Sequence, residues 1–91
     1  MKEKYLMNGP VTFDELASLM KGRAGLSVDP WEMESRPEAT FEQFELDSLG
    51  LLGIVSELEN RYGRPIGNEP ETCKTPIDFL NLVNAQLTSG A

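Results

Sequence analysis

The sequence predicts an all-α fold, a small bundle of three to four helices with a long loop between the first two. Apolar residues recur at helical spacing in three segments, and no segment shows the strict alternation typical of a strand. Residues that favour helix starts precede each of these segments. The 91 residues suffice for one small domain, which we place over residues 1–91.

The first helix is predicted over roughly residues 13–23. Thr12 and Glu15 have the spacing of a capping box, in which two side chains satisfy two backbone donors at a helix start. Apolar residues then recur at helical spacing, and Gly22 and Gly25 are the expected end of the helix.

The segment LSVDPWEMESRPEATFEQFE follows and is predicted to be a long loop. Two prolines interrupt it, and only EATFEQF is expected to form a short helical turn. Its aromatic residues, Trp31, Phe41 and Phe44, are expected to pin the loop to the core. A loop of this length is uncommon in a compact domain unless it has a function.

The second helix is predicted over residues 48–62, and either Asp47 or Ser48 is its cap. Apolar residues form one broad stripe along it, and Gly63 ends it. Gly50 and Gly53 lie inside this helix and cost about 1 kcal/mol each relative to alanine.

The last helix is predicted over residues 76–87, because Thr75 is a good cap and Pro76 is tolerated at the first helical position. The preceding segment GNEPETC is rich in residues that disfavour helices. A third helix near residues 68–73 is therefore expected to be short or irregular.

Composition excludes several classes of site. Histidine is absent and Cys73 is the single cysteine, so the chain can form neither an internal disulfide nor a structural zinc site of cysteine and histidine. No serine can be activated by a histidine of this chain, so we expect no catalytic residues and no metal site. The first ten residues lack the features of a secretory signal, and no apolar run could span a membrane; we therefore expect a cytoplasmic protein.

The net charge of −7 is concentrated in residues 29–47, which contain seven acidic residues and one arginine. This acidic segment argues against binding nucleic acid and favours basic protein surfaces as partners. The alternative is that the carboxylates only keep a solvated loop soluble.

Ser48 lies between an aspartate and an apolar helix, where it could be a cap, a nucleophile or an attachment site. The motif LDSL, the helix end ELENRYG, the upstream TFEQF and the downstream TPIDFLNLVN occur here in order. Together they resemble the acyl carrier protein family over nearly the whole chain. Within that family, the sequence is most similar to the discrete carriers of type II polyketide synthases.

The resemblance implies that Ser48 carries 4′-phosphopantetheine, transferred from coenzyme A by a phosphopantetheinyl transferase. Asp47 and Leu49 would flank the attachment site, and the arm's thiol would carry acyl groups as thioesters. Such a carrier is a phosphoprotein and not an enzyme; it serves polyketide, antibiotic or fatty acid biosynthesis. Its expected partners are a ketosynthase, an acyltransferase and tailoring enzymes, with no nucleic acid and no membrane, and we expect a monomer.

This interpretation predicts two further groups of functional residues. The residues expected to line the space that an attached acyl chain enters are Ile54, Val55, Leu58, Ile66, Phe79 and Val83. The residues expected to contact partners are Glu42, Glu45, Gly50, Gly53, Glu57 and Glu59. The two glycines stand where many carriers have acidic residues, so docking is expected to shift toward the acidic loop.

Two alternatives stay open. One is a carrier of a different cargo, either a D-alanyl carrier or a peptidyl carrier. The peptidyl carriers usually show GGxSL around the serine, which FELDSL lacks. The other is an unmodified helical interaction module in which Ser48 is only a cap.

Overall fold

The computed structural model of the protein describes residues 10–67 and 69–88. Within them the chain is all helical, as predicted. Its four α-helices are α1 (Phe13–Ala24), α2 (Pro30–Ser35), α3 (Ser48–Tyr62) and α4 (Pro76–Thr88), joined by 3-10 turns at Glu42–Phe44 and Glu69–Thr72. The second turn occupies the place of the predicted third helix. The start of that predicted helix at residue 68 and the first nine residues, where no signal was expected, lie outside the described residues.

The three long helices agree with their predicted ranges to within one residue at each end. Their apolar stripes meet in one core, whose fully buried side chains come from all three. The longest helix among the described residues is α3, with 15 residues. None of the helices in residues 10–67 and 69–88 combines the length and the apolar character that a membrane span needs.

The predicted loop contains a helix that the sequence analysis missed. Pro30 is the first residue of α2, and the Asp29 carboxylate accepts a hydrogen bond of 2.9 Å from the backbone N–H of Trp31. Proline fits the first position of a helix because its missing N–H would have no partner there. Pro30 therefore starts a helix instead of interrupting a loop.

The expectation that Trp31 pins this segment to the core is wrong, because 67% of its surface is exposed. Met33 is fully buried instead. Successive helical residues are about 100° apart, so residues two apart point to nearly opposite sides of α2. The helix therefore directs either the tryptophan or the methionine inward, and the unbranched, flexible methionine fills the core.

Phe41 and Phe44 are buried as predicted. The ring of Phe41 packs edge-on against Phe79 of α4, with centroids 5.5 Å apart, and its backbone N–H donates to the carbonyl of Lys74 at 2.8 Å. A second capping box, not recognised in the sequence, forms the turn between them. The backbone N–H of Thr40 donates to Oε1 of Gln43 at 2.8 Å, while that of Gln43 donates to the threonine hydroxyl at 3.2 Å.

Only half of the predicted capping box of α1 forms. Oγ1 of Thr12 accepts from the backbone N–H of Glu15 at 3.2 Å, but the Glu15 carboxylate turns to the end of α3. There the Tyr62 hydroxyl donates to it at 2.7 Å and Arg61 at 3.0 Å. Burial, followed by the hydrogen bond to this carboxylate, raises the pKa of Tyr62 to about 12. The tyrosine therefore stays protonated at neutral pH and acts as the donor.

Asn84 of α4 is the buried polar side chain of the core in the described part of the chain. Its Oδ1 accepts from the backbone N–H of Val11 and its Nδ2 donates to the Val11 carbonyl, both at 2.9 Å. Val11 is fully buried, so without Asn84 both of its backbone groups would have no partner. One amide thereby ties the segment before α1 to the last helix.

We expect Asn84→Ala to lower the free energy of unfolding by about 2–3 kcal/mol, because the Val11 donor and acceptor would stay buried without partners. Asn81→Ala, at an exposed position of the same helix, is the control and should change stability by no more than about 0.5 kcal/mol. Urea denaturation of both variants measures the difference. Equal effects would show that the Asn84 hydrogen bonds do not hold the two segments together.

Candidate functional site

Ser48 is the first residue of α3 and is exposed. The cap is Asp47, whose Oδ1 accepts a hydrogen bond of 2.8 Å from the backbone N–H of Gly50. Among the described residues, the Ser48 hydroxyl has no hydrogen-bond partner. The helix start therefore does not need a serine at this position, and the side chain is free to react.

The backbone before Ser48 makes a tight turn. Glu45 has a φ of 71°, in the left-handed region, and its backbone N–H donates to the carbonyl of Glu42 at 2.9 Å. For a residue with a side chain this conformation costs of the order of 1 kcal/mol. The turn brings the N–H of Leu46 to the carbonyl of Phe41 at 3.0 Å and buries the leucine side chain. The burial of Leu46 offsets the cost of the left-handed residue.

Gly50 is needed by the packing at the start of α3. A Cβ atom on it would lie 2.6 Å from Cδ1 of Leu46 and 3.5 Å from Cβ of Ala24 in α1. Gly53 is different, because the nearest side-chain atoms to its Cβ position belong to Arg23 at 4.0 Å. Both glycines were predicted from the sequence to contact partners. In the structure Gly50 packs against Leu46, and only Gly53 has free space.

A surface cleft of about 400 Å³ opens beside Ser48. One group of its lining residues comes from the end of the connection and the start of α3; the other comes from the end of the second 3-10 turn and the two residues after it. The lining residues are Thr40, Phe41, Glu42, Leu46, Asp47, Ser48, Leu51, Glu71, Thr72, Cys73 and Lys74.

Cys73 lies in this cleft and is partly buried. Burial, followed by the negative charges of Asp78 and Glu69, raises the pKa of its thiol. A thiol with a raised pKa is protonated at neutral pH and is a weak nucleophile. Cys73 is therefore a poor competitor for chemistry at Ser48.

The six residues expected to line an acyl-chain space all belong to the core, and each is at most 5% exposed. None of them lines the cleft. Leu51, like Phe41 and Leu46, lines the cleft and is also a member of the core cluster. It lies three residues after Ser48, about one helical turn into α3.

The residues expected to contact partners lie in two separate regions. Glu42 and Glu45 are exposed on the turn that leads to Ser48. The other two carboxylates lie in the second half of α3 and have local partners. Glu57 accepts from Nε of Arg61 at 3.2 Å, and Glu59 accepts from the backbone N–H of Ile66 at 2.8 Å.

Two exposed leucines of α3 flank this site. Leu49 is 75% exposed and Leu52 is 40% exposed. They are three residues apart and therefore share one side of the helix. The sequence analysis placed Leu49 at the site but missed Leu52. The signal was present, because both leucines fall outside the apolar stripe of α3.

A phosphodiester on Ser48 fits this geometry. The helix start carries backbone N–H groups and the positive end of the helix dipole, which favour a negative group. The hydroxyl is exposed beside an open cleft, so a long substituent would meet no obstruction. Asp47 keeps its carboxylate on the Gly50 N–H, next to Ser48.

The chain is similar to three curated proteins of Streptomyces. It is 54% identical over 80 residues to a probable acyl carrier protein of Streptomyces coelicolor, covering 88% of this chain and 89% of that protein. It is 57% identical over 81 residues to the curamycin polyketide synthase acyl carrier protein of Streptomyces cyaneus, covering 89% and 92%. A probable acyl carrier protein of Streptomyces halstedii is 53% identical over 77 residues, covering 85% and 84%. No family model and no solved structure matches the chain.

The two glycines of α3 give a paired stability test. Gly53→Ala should raise the free energy of unfolding by about 0.5–1 kcal/mol, because alanine favours the helix and has room there. Gly50→Ala should be less stable than Gly53→Ala by about 1–3 kcal/mol, since Leu46 must move out of close packing. Thermal or urea denaturation measures both. A Gly50→Ala protein as stable as Gly53→Ala would mean that the Leu46 contact relaxes without cost.

Proposed function

Because the chain belongs to the acyl carrier protein family, we propose that it tethers acyl groups as thioesters on a 4′-phosphopantetheine arm attached to Ser48. The assignment of Ser48 rests on the separate roles of two neighbouring residues at the start of α3. Asp47 caps the helix, and the exposed Ser48 hydroxyl is left without a hydrogen-bond partner among the described residues.

The attachment step is a displacement at phosphorus. Oγ of Ser48 attacks the pantetheine-bearing phosphorus of coenzyme A, the new O–P bond forms, and the pyrophosphate O–P bond breaks to release adenosine 3′,5′-bisphosphate. The serine proton needs a base, and the chain has no histidine. We propose that the phosphopantetheinyl transferase supplies both the base and the magnesium, and that Asp47 helps to orient that metal. The bound group supplies a thiol for thioester chemistry.

We propose a polyketide as the cargo, since the name of the Streptomyces cyaneus relative assigns that protein to a polyketide synthase. The partners would then be a ketosynthase, an acyltransferase and tailoring enzymes, and the carrier itself would catalyse none of their reactions. The cytoplasmic location and the monomeric state stay predictions. A D-alanyl or aminoacyl group found on the purified protein by mass spectrometry would favour the alternative carriers.

We also propose that an attached acyl chain enters the core past Leu51. The six buried residues named for this role form a closed core, so entry requires them to repack. Cores of aliphatic residues tolerate such rearrangement at modest cost when volume and pattern are kept. Three residues border both the cleft and the core, and we take Leu51 as the starting point because it is the one that lies on α3.

Ser48→Ala should fold like the parent and gain no arm. Its stability should stay within about 0.5 kcal/mol of the parent, because Asp47 and not Ser48 caps α3. Ser56→Ala, at an exposed position on the same helix, is the control and should be modified normally. Intact mass after incubation with coenzyme A and a promiscuous phosphopantetheinyl transferase measures uptake. A modified Ser48→Ala protein would refute the assignment.

We propose that basic partner surfaces dock on the turn before Ser48. Glu42 and Glu45 are exposed there beside Leu49 and Leu52, whereas Glu57 and Glu59 are held by local contacts. Docking is therefore centred on the turn and the first two turns of α3. Exposed ion pairs contribute about 1 kcal/mol or less each, so such complexes would be weak and sensitive to salt.

Replacing Glu42 and Glu45 by lysine should slow arm transfer more than replacing Glu32 and Glu34, which lie on α2. Both double variants change the net charge equally, so their difference reports position and not total charge. Transfer rates at low and high ionic strength measure it, and the difference should shrink as salt is added. If the two double variants are equally slow, or salt has no effect, the acidic segment is only a solvated surface.

A further inference from the structure

Lys74 is the one basic residue among the eleven that line the cleft beside Ser48. Its position is fixed by the backbone, because its carbonyl accepts the 2.8 Å hydrogen bond from the N–H of Phe41, which also lines the cleft. The side chain is exposed, and its ammonium forms no ion pair within residues 10–67 and 69–88. The cleft that Ser48 lines is thus also lined by a cation without an ion-pair partner in the described residues.

The other charged residues of the cleft are all acidic. Glu42, Asp47 and Glu71 also line it, so three carboxylates face one ammonium. A phosphodiester on Ser48 would add a fourth negative group to this small space. Charges a few ångströms apart lie within the Debye length, about 8 Å at physiological ionic strength, so salt does not fully screen them.

The phosphate is the part of the arm whose location would follow directly from attachment at Ser48. It is bonded directly to Oγ of Ser48 and must stay at the edge of the cleft, whereas the thiol end can move with the flexible arm. The positive end of the α3 dipole lies next to Ser48 and favours a negative phosphate there. Lys74 lines the same cleft and supplies a cation close to where this phosphate would lie.

We propose that Lys74 is the counter-ion of the arm's phosphodiester and holds the first part of the arm over the cleft. The proposal rests on the attachment of the arm to Ser48. Lysine suits this role because a flexible stem carries a compact charge that can follow a phosphate without a fixed two-point geometry. In this role Lys74 positions the arm and takes no part in the transfer chemistry.

The test compares apo and holo forms of the parent, Lys74→Gln and Lys21→Gln. Lys21 is the matched control, since it is an exposed lysine near the end of α1 and does not line the cleft. Intact mass first shows that each chain has gained the arm. The Phe41–Lys74 hydrogen bond is between backbone atoms, so Lys74→Gln should leave it in place.

At low salt, modification should lower the melting temperature of Lys74→Gln by roughly 1–4 °C more than it lowers that of the parent or Lys21→Gln. High salt should remove this excess. The ³¹P resonance of the phosphodiester should also shift between parent and Lys74→Gln but not between parent and Lys21→Gln. These readouts do not depend on any partner enzyme.

The same effect of modification on both lysine variants, together with an unchanged ³¹P resonance in Lys74→Gln, would overturn the proposal for Lys74 while leaving the attachment site intact. A parent protein that gains no arm at all would overturn both proposals. A difference that persists unchanged in high salt would also contradict a counter-ion role, because it would indicate a packing effect.

Discussion

The position of Ser48 depends on the close contact between Leu46 and Gly50. Leu46 is buried, and Gly50 has no Cβ, so the leucine can lie against the first turn of α3. Once Leu46 is inserted, the next residue, Asp47, lies where its carboxylate reaches the Gly50 N–H. Ser48 then begins the helix and is turned to solvent. One apolar contact therefore fixes both the cap and the exposure of the reactive group.

The other end of α3 is fixed by polar contacts, and these explain the motif ELENRYG in physical terms. Arg61 and Tyr62 both bind the carboxylate of Glu15, and Glu59 holds the backbone of Ile66. Gly63 ends the helix with a φ of 65°, which glycine adopts at little cost. The residues of this motif thus serve to hold the end of α3 against the neighbouring segments. They maintain the framework at the end of α3 opposite to Ser48.

Local signals predicted the three long helices and their caps, because apolar periodicity and end residues act over a few neighbouring positions. The same kind of signal was present for α2, where Asp29 and Pro30 form a helix start, but the proline was interpreted as a loop residue. Contacts between segments that are distant in the sequence could not be predicted from local patterns. The turn of Glu15 toward α3, the exposure of Trp31 and the burial of Met33 follow from how the segments pack.

The candidate site likewise has some features that the sequence can predict and others that it cannot. A serine after an aspartate at a helix start could be recognised from the sequence, and the exposed Leu49 and Leu52 could be found as residues outside the apolar stripe. The presence of Lys74 in the same cleft as Ser48 could not, because it depends on contacts such as the backbone hydrogen bond between Phe41 and Lys74, 33 residues apart in the chain.

A rigid start of α3 combined with weak surface charge would suit a carrier that binds several enzymes one after another. A carrier must leave each partner quickly, and affinity among related complexes is set mostly by the dissociation rate. Exposed carboxylates attract basic surfaces and orient them but add little to the lifetime of a complex. Two exposed leucines give a small apolar contact at the same place. If partners dock on these residues as proposed, the surface would be selective on approach and its complexes short-lived, while the capped start of α3 would present Ser48 in one geometry to each partner.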